Sequence, residues 1–393
     1  MYTYNIPEIG KNVFSVRAKD WGRRMFDALI PLPQGTSYNS YLVVGEEKNA
    51  LIDTVRVDFE DELLSKIKQK IDLEKLHYVI MNHAEPDHAG SIPRIMEANN
   101  NVILITSAKG AIVAADYYNV PKERIKIVKD GDKIQLGGKT LEFIDAPMLH
   151  WPETMFTYLI EDKILFPCDF FGSHTAFGIY DEDNEGLITN AKKYFGEIMM
   201  PFRVMGKRAI DKLGNYEINM IAPSHGPIYK NPKTIIEAYK KWTAGETNQK
   251  VIVVYATMWN ATEKMINAIV ETLMAENIQV CLYNLANSDI GDIAKDLVDS
   301  KAIIIGAPTV VGSLHPLAVY ILHVAKILNP PLKYGIIINS YGWGAGVVNN
   351  IVQSLPKGIE CLGAIEVKGN PSEEDYSKIK ELGKQLSIKI KED

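Results

Sequence analysis

Within six consecutive residues the chain gathers four side chains that bind cations: His83, Glu85, Asp87 and His88, in the order H-x-E-x-D-H. They follow the apolar run Tyr78-Val79-Ile80-Met81, which reads as a buried strand. Imidazoles and carboxylates crowded at a strand end cannot all enter a core, because each would carry an uncompensated burial cost. They converge naturally on metal ions. Residues of the same kinds recur downstream at His150, at Asp169 in Cys168-Asp169-Phe170 and at His225 in Ser224-His225-Gly226, and the set points to a two-metal site. Side chains alternate in direction as a strand ends, so His83 and Glu85 can face one point while Asp87 and His88 face a second, with Asp169 able to bridge. The donors are nitrogen and oxygen only, which suits iron, manganese or zinc better than copper(I). Two divalent ions carry four positive charges against three from Glu85, Asp87 and Asp169, so one further anion completes neutrality.

Strands and loops must position this set. The chain has 393 residues, long enough for two domains. Apolar residues make up 46% and charged residues 23%, an ordinary globular balance, and the net charge of -6 argues against non-specific nucleic-acid binding. No apolar run approaches the roughly 20 residues that span a bilayer. The start, Met1-Tyr2-Thr3-Tyr4-Asn5-Ile6-Pro7, lacks a basic region followed by an apolar segment, so no signal peptide is expected. Three scattered cysteines, Cys168, Cys281 and Cys361, fit reduced thiols in a cytoplasmic protein and match no paired metal spacing.

A polar stretch, Thr243 to Lys250, follows a helix-like segment from Lys233 to Trp242 and reads as a linker, giving expected domains of 1–248 and 249–393. The second part alternates. Apolar strands are expected at Val251–Tyr255, Val280–Tyr283, Ala302–Gly306, Gly335–Asn339 and Ala364–Val367. Helices are expected at Thr262–Glu276, Ile290–Asp299, Leu317–Leu328, Val347–Leu355 and Ser372–Lys391. That alternation implies a parallel sheet covered on both faces. The first part is richer in hairpins, with strands expected at Phe14–Val16, Tyr41–Val44, Ala50–Ile52, Tyr78–Met81, Val102–Thr106, Lys133–Gln135, Thr140–Asp145, Thr157–Ile160 and Ile164–Pro167. Helices are expected at Glu60–Ile71 and Ile92–Ala98. Two packed sheets with outer helices follow, an α+β half joined to an α/β half.

The order H-x-E-x-D-H, then His150, Asp169 and His225, resembles the flavodiiron proteins. Thr36-Ser37-Tyr38-Asn39-Ser40-Tyr41-Leu42 and Ala222-Pro223-Ser224-His225-Gly226-Pro227 share the likeness, which covers essentially the whole chain. The resemblance implies a metallo-β-lactamase-like αββα sandwich followed by a flavodoxin-like, doubly wound, five-stranded parallel sheet. Hydrolases of that superfamily usually carry H-x-H-x-D-H, and Glu85 stands where they have a second histidine. This harder donor favours a redox iron pair over hydrolytic zinc. By position, the resemblance makes His83, Glu85 and His150 ligands of one iron and Asp87 and His225 ligands of the other, with Asp169 bridging; His88 stands either behind the ligands or, as its equivalent does in the hydrolases, on a metal. His174, close after Asp169, is a candidate to line the substrate pocket or hand over a proton, the alternative being a hydrogen-bonded loop histidine. Trp151 and Tyr194 are candidate pocket walls.

Three loops of the second half complete the picture. Thr257-Met258-Trp259-Asn260-Ala261-Thr262 opens a helix, where hydroxyls and backbone N–H groups form a phosphate site without arginine. Flavodoxins use a similar loop, usually with glycine where this chain has Asn260, and asparagine tolerates the left-handed backbone. Pro308, Thr309, Val310, Gly312 and Ser313 follow the third expected strand, and Ser340, Tyr341, Gly342, Trp343 and Gly344 the fourth. Both lie at carboxyl ends of parallel strands, where ligands bind. Trp259, Tyr341 or Trp343 can stack on a flat ring. FMN is favoured over FAD because flavodoxin-like sites take a mononucleotide, and G-x-G-x-x-G is absent.

Reduced FMN and a ferrous pair together store four electrons, the demand of O2 reduction to two waters; converting two NO to N2O takes two. The expected function is therefore O2 and/or NO reduction. The resemblance also implies a head-to-tail homodimer, or a dimer of dimers, with the flavin of one copy facing the iron pair of the other. With no cysteine-rich extension in the sequence, a separate rubredoxin-type protein is expected as donor. Two other readings are a metallo-β-lactamase-type hydrolase using metal-activated water, marked by zinc and esterase or lactamase activity, and an O2/NO sensor, marked by stable gas binding with slow turnover.

Overall fold

The computed structural model describes residues 3–392; Met1 and Tyr2 of the N-terminal segment discussed above, and Asp393, lie outside the described residues. The chain forms two compact units. One runs to Phe195 and resumes over Phe202–Lys240, and the other takes Gly196–Pro201 and the chain from Lys241 onward. The division falls inside the helix Pro232–Ala244, ahead of the polar stretch read as a linker.

The first unit contains a seven-stranded sheet in the spatial order Glu8–Gly10, Val13–Ser15, Tyr41–Val44, Asn49–Ile52, Leu76–Ile80, Ile103–Thr106, Ile125–Ile127. Its central strands are continuous apolar runs because successive side chains serve opposite faces. Leu42, Leu51, Val79 and Leu104 enter one core with Leu63, Ile67, Ile92 and Ile95, from the helices Glu60–Lys68 and Ile92–Ala98. Their neighbours Val43, Ile52, Ile80 and Ile105 enter a second core with Leu141, Phe143, Leu159 and Phe166. Those partners belong to a five-stranded sheet in the order Lys133–Gln135, Thr140–Asp145, Met155–Leu159, Ile164–Phe166, Met220–Ile221. On its far face Phe156 stacks on Phe170, whose ring meets Tyr239 of the helix Pro232–Ala244 edge-on. The layering is helix, sheet, sheet, helix, as expected.

Three helices of this unit, Ala108–Tyr118, Leu187–Tyr194 and Arg203–Leu213, were not expected from sequence, nor was the hairpin pairing Met25–Phe26 with Ile30–Pro31. Ala108–Tyr118 carries exposed Ile112 and Tyr117, which blur the apolar stripe, and a glycine in its first turn. Gly110 is required by closeness: a Cβ there would sit 2.1 Å from Thr106 Oγ1.

The second unit holds five parallel strands in the order Gln279–Asn284, Lys250–Tyr255, Ala302–Val310, Tyr334–Tyr341, Glu360–Lys368; a short strand, Ser313–Leu314, folds back antiparallel on the third. Numbered along the chain this is 2-1-3-4-5, the flavodoxin-like order with its switch point between the first and third strands. Val251, Val253, Ile304, Ile336 and Ile338 share a core with the helices Ala261–Ala275 and Glu373–Glu392. Ile252, Val254, Ile303, Ile305 and Ile337 are as fully buried on the opposite face. No helix among the described residues is long and apolar enough to cross a membrane.

Candidate metal centre and loop cavity

Strand ends of the first unit deliver the cation-binding side chains. The strand Leu76–Ile80 leads into Asn82-His83-Ala84-Glu85, and Pro86 then starts the single turn Pro86–Ala89, which carries Asp87 and His88. Asp169 follows the strand Ile164–Phe166, and His225 follows Met220–Ile221. His150 sits in the turn before Met155–Leu159, joined to Leu149 by a cis peptide bond.

The donors form two sets that share one carboxylate. His83 Nε2 lies 3.2 Å from Glu85 Oε2 and 3.4 Å from Asp169 Oδ2; His150 Nε2 lies 3.1 Å and 3.5 Å from the same oxygens. In the second set His225 Nε2 lies 3.2 Å from Asp87 Oδ2 and 3.4 Å from Asp169 Oδ1. His88 Nε2 lies 3.0 Å from that Oδ1 and 3.4 Å from Asp87 Oδ1. Asp169 thus turns one oxygen to each set. His88, for which the sequence left a ligand and a supporting role open, groups with Asp87 and His225 in the second set.

Backbone and side chains hold these donors in place. His83 Nδ1 is 2.8 Å from Glu153 Oε1 and His225 Nδ1 is 2.7 Å from the Ser37 carbonyl, so each ring keeps Nε2 free for a cation. Tyr194 Oη donates to Asp169 Oδ1 at 2.9 Å. Asn82 donates to buried Asp53 through its backbone N and its Nδ2. Asp53, Met148, Cys168 and Phe171, all near the ligands in sequence or space, adopt positive φ of 51°, 65°, 48° and 71°. Such positions cost about 1–3 kcal/mol each and cluster at functional sites.

The electrostatics show what the cluster lacks. Burial alone would depress His83, but its bonds with Glu153 and Glu85 and the charge of Asp169 push it up to about 9. Burial opposes the same change in His88, where Asp87 and Asp169 prevail and raise it to about 9, and in His150, where Asp169 and Glu85 raise it to about 10. Glu85 and Asp169 are held below the usual carboxylate range: burial works against this, and His150 and His83 outweigh it for Glu85, His88 and His150 for Asp169. Even so, Asp87 Oδ1 and Oδ2, Asp169 Oδ2 and His88 Nδ1 are buried and make no hydrogen bond. Buried carboxylate oxygens without donors are costly. Two cations, one at each oxygen of Asp169, would supply partners to these carboxylate oxygens though not to His88 Nδ1, so the carboxylates present fit a metal pair.

The other predicted residues surround this set. Trp151 meets His83 edge-on, with ring centroids 5.2 Å apart. His174 is outside both donor groups; its Nδ1 is 3.0 Å from Thr36 Oγ1 and its ring packs among Phe26, Tyr194 and His225 at 4.8–4.9 Å. Burial, then His225, holds it well below the usual histidine range. Glu153 was missed in the sequence reading, although it lies three residues after His150 in His150-Trp151-Pro152-Glu153.

In the second unit, the carboxyl ends of the parallel strands enclose a cavity of about 370 Å³. Thr257, Met258, Trp259, Ala261 and Thr262 line it from the first loop, Pro308 and Thr309 from the second, and Ser340, Tyr341, Gly342 and Trp343 from the third. Asn260, Val310, Gly312, Ser313 and Gly344 are not among its lining residues. Asn260 instead shapes the turn, with φ 64° and ψ -1°, and leaves the first turn of the helix Ala261–Ala275 without a side-chain cap. Those free N–H groups, together with Thr257 Oγ1, buried without a partner, form a cradle for a phosphate. Thr262 Oγ1 and Ser340 Oγ lie 2.8 Å apart and tie the first loop to the third. Trp259 is 86% and Trp343 71% exposed, leaving broad ring faces at the rim available for stacking. Gly369 and Asn370, at the carboxyl end of the fifth strand, also line the cavity and were missed, though the strand-end rule covers them.

Residues 36–226 match the family model described as ODP family beta lactamase. The chain is 37% identical over 392 residues to a nitric oxide reductase of Moorella thermoacetica, covering 97% of this chain and 98% of the relative. Among solved structures, rubredoxin oxygen:oxidoreductase from Desulfovibrio gigas superposes with a TM-score of 0.95 at 28% identity, covering 98% of this chain and 99% of that one. The flavodiiron protein of Giardia intestinalis superposes with a TM-score of 0.94, also at 28% identity, over 99% and 98% of the two chains.

Proposed function

The chain belongs to the flavodiiron protein family, and from that membership we propose that it reduces O2 and/or NO at an iron pair, using FMN and an external electron donor. The observation that carries this reading is the pair of donor sets joined through the two oxygens of Asp169. His83, Glu85 and His150 would hold one iron, Asp87, His88 and His225 the other, and Asp169 would serve both. Glu85, an oxygen donor, supports iron over zinc. When bound, FMN relays electrons from the donor and the iron pair delivers them to the gas.

The chain's own residues orient and shield. Glu153 and the Ser37 carbonyl fix the rings of His83 and His225 with Nε2 inward. Tyr194 fixes Asp169 by its hydrogen bond. Trp151 packs against His83, and His174 and Phe26 against His225, walling the centre on those sides. In the second unit Thr257 and the helix N-terminus would hold the FMN phosphate, while Trp259, Tyr341 and Trp343 would offer ring faces to the flavin.

The metal half is assigned to 1–248 and the FMN half to 249–393. The donor is a rubredoxin-type protein, and the working form is a cytoplasmic head-to-tail homodimer or a dimer of such dimers. The test is anaerobic: the chain loaded with iron and FMN is mixed with reduced rubredoxin, and O2 or NO is added in parallel. Rubredoxin reoxidation with either gas, abolished when FMN is removed, is the expected result. Equal reoxidation without FMN refutes the relay, and reoxidation with neither gas refutes the reductase.

A further inference from the structure

The two donor sets are supported unequally, and the difference runs through a helix that takes no part in either. Glu153, only 2% exposed, accepts with Oε1 from His83 Nδ1 at 2.8 Å and from the Ala84 backbone N at 3.0 Å. One oxygen therefore grips a ligand ring and the backbone between the ligands His83 and Glu85. From the other side, Tyr118 Oη donates to the Ala84 carbonyl at 2.6 Å. Tyr118 is the last residue of the helix Ala108–Tyr118. The N-cap of that helix, Ser107, donates from Oγ to the Glu153 carbonyl at 2.7 Å while accepting from Gly110 N at 3.0 Å. The helix starts at Glu153 and ends at Ala84. It closes a loop of contacts around His83 that a rigid rod keeps at fixed span.

Across the centre, His225 Nδ1 has only the Ser37 carbonyl, and the Thr36 hydroxyl at 3.3 Å, in place of a carboxylate. A carboxylate behind a ligand histidine raises the donor strength of the distal nitrogen more than a carbonyl does. A ligand ring whose adjoining backbone is gripped by the same carboxylate, as Ala84 N is by Glu153 Oε1, also loses less freedom when it binds.

We propose that Glu153, braced by Ser107 and Tyr118 through the helix Ala108–Tyr118, is a positioning residue that makes the His83–Glu85–His150 position the tighter of the two metal positions. The proposal rests on reading the cluster as a metal pair. Neither Glu153 nor Tyr118 touches a metal or substrate; both act through the His83–Glu85 loop.

The test uses the full chain stripped of metal and titrated anaerobically with cobalt(II), whose visible bands report each position as it fills. The wild type is expected to bind two equivalents in two resolved phases. Glu153→Gln keeps the size and removes the charge, and it should weaken the tight phase about 10- to 100-fold while leaving the weaker phase within about threefold. Tyr118→Phe removes one hydroxyl at the far end of the brace and should weaken the same phase by a smaller factor, with a shift of that phase's bands. Equal weakening of both phases in the two variants, or unchanged binding in both, overturns the brace. If Glu153→Gln does not fold, Tyr118→Phe decides alone. A wild type that takes up no cobalt overturns the metal reading itself, an outcome distinct from two intact phases that ignore both substitutions.

Discussion

Loading the metal centre should expel protons, and the number follows from the geometry. Without a cation, the surrounding carboxylates Glu85, Asp169, Asp87 and Glu153 push His83 and His88 up to about 9 and His150 up to about 10, against the effect of burial. At pH 7 the three rings are then mainly protonated. Metal ligation needs the neutral ring, so filling both positions at pH 7 displaces about three protons per chain. The product of the two binding constants should accordingly rise about a thousandfold per pH unit near neutrality, and the slope should flatten above pH 10 once the rings are already neutral. The assay is calorimetry of iron(II) binding to the metal-free chain under argon, in two buffers of different ionisation enthalpy. A release of less than one proton per chain at pH 7, or an affinity that does not change between pH 6.5 and 8, would refute the reasoning. It would mean that the imidazoles do not face the carboxylates as the distances require.

Linked to this, the raised histidines stabilise the metal-free fold fully below the ordinary histidine value of 6.5 and lose that contribution as pH rises through 9 to 10. The melting temperature of the metal-free chain should therefore fall over that alkaline range, while the iron-loaded chain stays level; parallel curves would contradict the assignment. Thr257→Val removes the one hydroxyl buried without a partner in the loop cavity and should weaken FMN about tenfold by fluorescence titration, with flavin-free stability unchanged; unaltered affinity would place the phosphate elsewhere. Asn260→Gly should be neutral and Asn260→Val should destabilise the flavin-free chain by about 1–2 kcal/mol in denaturant titrations, because position 260 has φ 64°; equal stabilities would show that the turn relaxes.

What the sequence revealed depended on how local the cause was. H-x-E-x-D-H was legible because a strand end and one turn bring all four side chains together, and the parallel half because its strands are apolar throughout and its helices regular. The left-handed turn at Asn260 followed from residue type and loop context. His150, Asp169 and His225 were assigned through the family likeness, since their convergence depends on a second sheet packing on the first. Glu153 escaped notice because its role is to reach back to His83, a partner 70 residues earlier. The helix Ala108–Tyr118 escaped because exposed Ile112 and Tyr117 interrupt its polar face. For His88 the sequence left both a ligand and a supporting role open; the turn Pro86–Ala89 brings its Nε2 to within 3.0 Å of Asp169 Oδ1.

The central claim is a dinuclear centre joined by Asp169. The most direct measurement is the anomalous scattering of a crystal of the iron-loaded chain at the iron edge. Two peaks within about 4 Å of each other, one beside each oxygen of Asp169, are the predicted result. A single peak, or two peaks that do not share Asp169, would contradict it.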